Sequence, residues 1–270
     1  MLKYIKQGWN AAVQQPFVVV TLFLYRFAWG FLLYEIVKSV VIPLQYRYPG
    51  EAAPERVKLF LAEAQFQLFK TDLVHPYLWL LLGLLLVKML LTPLFNSAVC
   101  YSLEHTRLNY GYRFFKGMKE LAKPFYLIYL VQLIAVLTPL YWLLPAIARS
   151  VEQAQSYQEL LLHGLPWVAG WIMYSSLIKI LLLYIQLAFT CSIPWTRALT
   201  CLLRSFLLAV GTALSLWGIG LLVGAAVLTT VFLWAGFWAL VIYQLFRFVE
   251  SFLSVWRITA QHQLLTDRAA

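Results

Sequence analysis

The stretch "GLLLVKMLLTPLFNSAVCYS", residues 83–102, places one lysine inside a run of apolar residues. A second stretch, "SSLIKILLLYIQLAFTCS" at residues 175–192, has the same arrangement. In both stretches twelve positions separate the lysine from a cysteine, Lys88 from Cys100 and Lys179 from Cys191. Since about 20 mostly apolar residues are enough to cross a bilayer, both stretches predict membrane-spanning helices.

The composition of the whole chain supports this prediction. Of its 270 residues, 62% are hydrophobic and 12% are charged, whereas soluble domains average about 45–50% apolar and about 25% charged residues. The chain is also rich in aromatic residues, which anchor helices at membrane–water boundaries. The net charge of +10 fits the excess of Lys and Arg in cytoplasmic loops better than it fits a nucleic-acid partner. The composition therefore predicts a polytopic membrane protein.

Six segments are long and apolar enough to span a membrane, at approximately 17–42, 77–100, 124–147, 165–190, 206–226 and 230–252. The segments that share a side with the N-terminus hold more Lys and Arg than those on the opposite side. Because cytoplasmic loops collect Lys and Arg, this bias predicts that both termini are cytoplasmic.

Several shorter segments have the pattern of amphipathic helices at the membrane surface. "PERVKLFLAEAQFQLF", residues 54–69, has apolar residues at helical spacing, which predicts a helix on the outer surface or a lid packed on the spans. Residues 104–123 combine five cations with aromatic residues. Basic segments beside a membrane attract anionic lipids, so we expect this one to contact lipid or to dock a cytoplasmic partner.

The chain also shows internal similarity. A short polar stretch introduces each odd-numbered span, within residues 6–20, 115–129 and 194–210. Together with the shared spacing of lysine and cysteine, this indicates three helical hairpins within one domain, residues 1–270, with approximate bounds 1–105, 106–193 and 194–270. All three run in the same sense, so the predicted repeats are parallel and related by rotation about an axis near the membrane normal. The alternative is that apolar helices with basic ends align by chance.

The residues that introduce the hairpins resemble those of a loose group of bacterial membrane proteins. The resemblance is carried by Gly8-Trp9, Pro16-Phe17, Gly117, Pro124-Phe125 and "TPLFNSAV" at 92–99. That group includes the integral membrane domain of some glycerophosphodiester phosphodiesterases. The resemblance implies a six-helix fold in the bacterial cytoplasmic membrane. It implies no phosphodiesterase chemistry, because the soluble catalytic domain is absent from these 270 residues.

The usual catalytic signatures are missing from the sequence. We find no glycine-rich phosphate loop, no His-Glu-x-x-His and no paired-cysteine motif. The histidines are scattered near predicted helix ends, which predicts interfacial side chains rather than metal ligands. The three cysteines are predicted to be reduced and structural. We therefore expect no enzymatic activity, no cofactor and no metal.

The ionisable residues inside the predicted spans are the candidate ligand site. An ionisable side chain in a span costs about 2.5–3.5 kcal/mol on insertion scales and marks a functional site by default. Lys88 lies about 16 Å from the start of its span, near the middle of a roughly 30 Å core. Three roles are open for the cations Arg26, Lys88 and Lys179. We expect them to bind helix-end carbonyls or the amides of Asn96 and Gln186, to contact anionic headgroups, or to line a cavity for an anionic ligand.

The sequence thus predicts an all-α membrane protein of six spans. Its expected function is non-enzymatic, the binding or translocation of an anionic or amphiphilic small molecule or lipid. One alternative is the permease subunit of an ATP-driven exporter, which would need a separate ATPase. Another is a structural or assembly subunit whose cations pair with acids on a partner membrane chain. The expected partners are anionic membrane lipids.

Overall fold

A computed structural model describes residues 1–47, 75–153, 157–233 and 237–269. The predicted surface helix at 54–69 lies outside these ranges. Within them every regular element is an α-helix, which confirms the all-α class. The helices are α1 (Leu2–Val13), α2 (Pro16–Arg47), α3 (His75–Glu104), α4 (Tyr110–Glu120), α5 (Ala122–Leu137), α6 (Leu140–Gln153), α7 (Tyr157–Thr190), α8 (Trp195–Arg204), α9 (Phe206–Leu233) and α10 (Phe237–Ala269).

Five stretches of these helices are long and apolar enough to cross a membrane, which supports a multi-pass membrane protein. They are Pro16–Ile36, Leu78–Glu104, Ala122–Ile147, Gly164–Thr190 and Phe206–Val231. The third stretch is divided at residues 138–139, where Pro139 lacks the amide hydrogen that would continue α5. The predicted sixth span includes residues 234–236, which lie outside the described ranges, so the count of six stays a prediction.

The chain forms two compact units. The first unit comprises Met1–Val20 and Pro93–Ala270, and the second comprises Thr21–Thr92. In the second unit, the Lys38 ammonium lies 3.9 Å from the Glu35 carboxylate one helical turn away. These two residues therefore form an ion pair within α2.

The first short helix, α1, packs closely on α10. A Cβ atom added to Gly8 would stand 2.7 Å from the Ala260 Cα, so only glycine allows this approach. The Thr259 hydroxyl donates a hydrogen bond to the Gly8 carbonyl at 2.8 Å, and the Trp256 indole donates one to the Ile5 carbonyl at 2.8 Å. The contact thus joins the two ends of the described chain.

The other two short helices pack in a comparable way. In α4, a Cβ atom on Gly117 would meet the Tyr101 side chain at 2.5 Å, which places α4 directly against the C-terminal part of α3. Helix α8 packs on α7, and its Ala198 is fully buried in the main apolar core. Each short helix therefore lies against the long helix that precedes it in the chain or, for α1, against the last one.

Helices α9 and α10 form an antiparallel pair. Gly220 faces Leu253, and Gly224 faces Phe246, with ordinary van der Waals spacing for an added Cβ. Small residues on one helix let the larger side chains of a neighbour approach, which is a common way for membrane helices to pack.

A buried polar network links three long helices inside the apolar core. The Tyr184 hydroxyl donates to the Gln261 side-chain oxygen at 3.0 Å. The Gln261 amide donates to the Ala209 carbonyl at 2.9 Å and to the Thr212 hydroxyl at 3.0 Å. Because all of these polar atoms are paired, α7, α9 and α10 meet without an unsatisfied group at this point.

Candidate functional site

The predicted cations belong to two different units. Lys88 is exposed on α3 in the second unit, and Lys179 is exposed on α7 in the first. Arg26 is half-buried in α2 and interacts with neighbouring groups. Lys179 lies eleven residues, or about 16 Å, from the end of the apolar stretch Gly164–Thr190, near the middle of a candidate membrane span.

The two predicted amide partners have different surroundings. Asn96 is half-buried, whereas Gln186 is buried among the core residues of α7. Gln186 lies seven positions after Lys179, roughly 10 Å further along the helix axis. A shared ligand cavity for these cations and amides stays a prediction.

A groove of about 330 Å³ lies between α9 and α10 in the first unit. Its apolar wall includes the exposed Trp217 and Leu221, so the groove opens on the surface of the helix pair. The groove is lined by Leu216, Trp217, Gly220, Leu221, Phe246, Arg247, Glu250, Leu253 and Arg257.

The polar residues of the groove all belong to α10. Arg247 and Glu250 lie one turn apart, with 3.4 Å between guanidinium and carboxylate. Burial lowers the pKa of the Arg257 guanidinium, and the negative charge of Glu250 opposes that shift. Two arginines and one glutamate give the lining a net charge of +1, which favours an anionic group against apolar walls.

A second cation is buried where α1 ends and α4 begins. Arg113 is 1% exposed, and its guanidinium donates to the Gln15 side-chain oxygen at 2.6 Å and to the Thr106 carbonyl at 3.4 Å. The Gln15 amide donates to the Ser102 carbonyl at 3.0 Å. Burial lowers the pKa of Arg113, and these neutral oxygens are hydrogen-bond partners for its charge. The arrangement ties α4 to α3 and to the α1–α2 junction.

A third group of polar side chains gathers at one end of three long helices. The His262 Nε2 atom lies 3.1 Å from the Glu104 Oε2 atom. The Cys191 thiol lies 3.5 Å from the same carboxylate oxygen and 3.5 Å from His262 Nε2. We call Glu104, Cys191 and His262 the triad. It contains one side chain from the end of α3, one from the end of α7 and one from α10.

The local sequence explains how Cys191 reaches this position. Ser192 adopts a left-handed conformation with φ of 55°, and the Ile193 amide donates to the Ala188 carbonyl at 3.0 Å. This is the hydrogen bond of a Schellman-type helix end, and Pro194 then prevents the helix from continuing. Helix α7 therefore ends at Thr190, and the thiol of Cys191 lies directly after the helix terminus.

The surroundings of the triad combine burial with access to solvent. The His262 side chain is 9% exposed and that of Glu104 is 40% exposed. Burial, and to a smaller degree the charge of Glu104, raise the pKa of Cys191 to about 12. A protonated thiol can therefore donate its hydrogen to the Glu104 carboxylate. Among the described residues these three could hold a metal ion, since their donor atoms lie within 4.8 Å of one another.

Neither the groove nor the triad was predicted from the sequence, which placed histidines and cysteines in interfacial or structural roles. The triad residues are separated by 71 to 158 positions in pairs, so no local motif connects them. The only indication in the sequence is that Glu104, Cys191 and His262 each lie near the C-terminal end of a different predicted hairpin. The groove arginines were counted as cytoplasmic charge, because the packing of α9 on α10 was unknown.

Comparisons of this chain with protein-family models, with curated proteins and with solved structures gave no match.

Proposed function

We propose that this chain is an integral membrane protein that binds an anionic amphiphile, of the phospholipid type, in the groove between α9 and α10. The observation that carries the proposal is one groove with both apolar walls and partly buried guanidinium charge. An acyl chain matches the walls formed by Leu216, Leu221 and Phe246. An anionic headgroup matches the two arginines, because a desolvated cation gains most from a counter-charge.

The opening of the groove supports a ligand that arrives from the bilayer. Trp217 and Leu221 are both about half exposed, and both lie in the apolar stretch Phe206–Val231. A ligand that diffuses laterally within the membrane would therefore reach the groove without crossing water. Arg257 is four positions beyond Leu253, about 6 Å along the helix toward the C-terminal end of α10. A headgroup at Arg257 would leave the acyl chain beside Leu253 and Leu216.

The proposed architecture is three parallel hairpins with six spans and both termini in the bacterial cytoplasm. Three short helices, α1, α4 and α8, support it, because each one introduces a proposed hairpin. Each also packs on the second long helix of another hairpin: α1 on α10, α4 on α3 and α8 on α7. That relationship is expected for repeats arranged around an axis near the membrane normal. The excess of Lys and Arg on one side supports the orientation.

A second candidate function is assembly with an acidic membrane partner. Lys179 is exposed on α7 about 16 Å from the end of its span, and Lys88 is exposed within its own span. A lysine that faces hydrocarbon is unfavourable, whereas a carboxylate on a partner helix would neutralise it. A Lys88→Leu, Lys179→Leu variant would then lose the partner but keep its own fold. A complex that survives both substitutions would argue against this role.

The lipid proposal is tested by native mass spectrometry of the purified chain in a mixture of anionic phosphatidylglycerol and zwitterionic phosphatidylethanolamine. The wild-type chain should retain the anionic lipid preferentially. Arg257→Gln should reduce that retention roughly tenfold, because a charge-assisted hydrogen bond contributes about 1.5–3 kcal/mol. Arg204→Gln is the matched control, since it removes an exposed cation of α8 outside the groove. Equal retention by all three chains would contradict the proposal.

A further inference from the structure

We propose that the triad of Glu104, Cys191 and His262 is a binding site for a zinc-class divalent cation, independent of the lipid groove. Its three side chains offer a carboxylate oxygen, a sulfur and an imidazole nitrogen. These are the three donor types that zinc takes from proteins. A hard cation such as Mg²⁺ or Ca²⁺ would select oxygen ligands instead.

The spacing of the donor atoms fits one metal ion. A tetrahedral zinc with bonds of about 2.0–2.3 Å holds its ligand atoms roughly 3.3–3.6 Å apart. The three separations in the triad are 3.1, 3.5 and 3.5 Å. The donor atoms therefore already occupy three corners of such a tetrahedron to within a few tenths of an ångström. An ion would replace the hydrogen bonds between them without moving the helices. The Cys191 thiol would bind as the thiolate and release its proton to water.

The backbone around the triad makes this geometry persistent. Cys191 is held by the helix end at Ser192, and His262 lies within α10. Glu104 is the last residue of α3. The ion would thus connect the ends of three long helices that are far apart in sequence. Since the unfolded chain lacks a preformed site, metal binding would stabilise the folded state.

The fourth coordination position is expected to face solvent. The Glu104 side chain is 40% exposed, while His262 is nearly buried, so the open corner lies on the carboxylate side. Water would complete the tetrahedron there, as in zinc sites that keep an exchangeable position. The metal is therefore expected to enter and leave from the aqueous side, where added Zn²⁺ or a chelator reaches it.

Cobalt substitution tests the site with the metal alone. Addition of Co²⁺ to the metal-free wild-type chain should produce the visible bands of tetrahedral cobalt and a near-ultraviolet thiolate-to-cobalt band, with one equivalent bound per chain. Cys191→Ala should abolish the thiolate band, and His262→Asn should weaken binding at least tenfold. Cys201→Ala is the matched control, because Cys201 is a buried thiol of α8 outside the triad, and it should keep the full spectrum.

A second measurement on the unsubstituted chain removes any dependence on folding of the variants. Zn²⁺ should slow the reaction of Cys191 with N-ethylmaleimide, with the modified residue identified by peptide mapping, and a chelator should restore the rate. A cobalt spectrum without the thiolate band, or one unchanged in Cys191→Ala, would overturn the proposal. So would equal labelling of Cys191 with and without Zn²⁺, since the triad would then be a hydrogen-bonded cluster only.

Discussion

Gly8 and Ala260 lie so close together that a Cβ atom on Gly8 would stand 2.7 Å from the Ala260 Cα and 2.8 Å from its Cβ. The nearest atoms belong to backbone and to a methyl group, neither of which can rotate away. Together with the hydrogen bond from Thr259 to the Gly8 carbonyl, this contact fixes α1 on α10.

The first prediction concerns this contact. Gly8→Ala should destabilise the protein by about 1–3 kcal/mol, because an added methyl in a packed interface forces the two helices apart. Alanine is about 1 kcal/mol more favourable than glycine inside a helix. The measured change in stability is therefore the loss from disturbed packing minus this gain in helix propensity. Thermal unfolding in detergent measures the effect. Gly218→Ala is the control, since nothing lies within 4 Å of its Cβ position, and it should be neutral or stabilising. Equal behaviour of the two variants would contradict the packing.

The second prediction concerns the buried Arg113. Gln15→Leu should lower the free energy of unfolding by roughly 1–3 kcal/mol, because it leaves a buried guanidinium without its 2.6 Å acceptor. Gln14→Leu changes the neighbouring exposed glutamine and should have little effect. Denaturant unfolding gives the free energy of unfolding of both variants. It distinguishes the loss of the specific hydrogen bond between Gln15 and Arg113 from the general effect of replacing glutamine by leucine. A larger loss in Gln14→Leu would show that the Arg113 cluster is not a stabilising tie.

The third prediction concerns acid stability. The Tyr4 hydroxyl donates to the Asp267 carboxylate at 2.8 Å and the Lys3 ammonium lies 3.1 Å away. These partners, with the Tyr4 hydrogen bond first, lower the pKa of Asp267 below its ordinary value of 3.8. The folded state then binds the proton less tightly than the unfolded chain. The stabilisation is present above the ordinary pKa and is lost as the pH falls through the lower folded value.

Unfolding temperatures measured from neutral pH to about pH 2.5 check this sign. Asp267→Asn should flatten the acid-side decline, and Tyr4→Phe, which keeps the buried ring, should move the decline to higher pH. If Asp267→Asn declines as steeply as the wild type, the carboxylate makes no contribution to folding.

The sequence predicted the long helices well because their signal is local. Five of the predicted spans correspond to apolar stretches of the structure, since composition over about 20 residues decides insertion. Gly8 and Gly117 were noticed as a shared pattern, and the structure supplies the reason: a Cβ at either position would overlap a neighbouring helix.

The sites depend on which helix faces meet, which periodicity alone does not determine. Lys88 was predicted near mid-membrane, but the exposure of Lys88 and Lys179 follows from helix rotation. In the sequence Arg257 counts only as cytoplasmic charge, whereas in the structure the contact of Gly220 with Leu253 brings α9 against α10. The triad requires three helix ends to converge, with Cys191 set by the left-handed Ser192. Long-range packing of this kind leaves no motif in one sequence.

The most direct test of lipid binding in the groove is photo-crosslinking in vesicles that contain anionic and zwitterionic phospholipid. p-Benzoylphenylalanine replaces Leu221, which lines the groove, or the neighbouring Leu222, which is 73% exposed and lies outside its lining. We expect crosslinks at position 221 to be enriched in anionic lipid over the vesicle composition, and Arg257→Gln to abolish the enrichment. Crosslinks at position 222 should follow the vesicle composition. The same lipid ratio at both positions, unchanged by Arg257→Gln, would contradict the account.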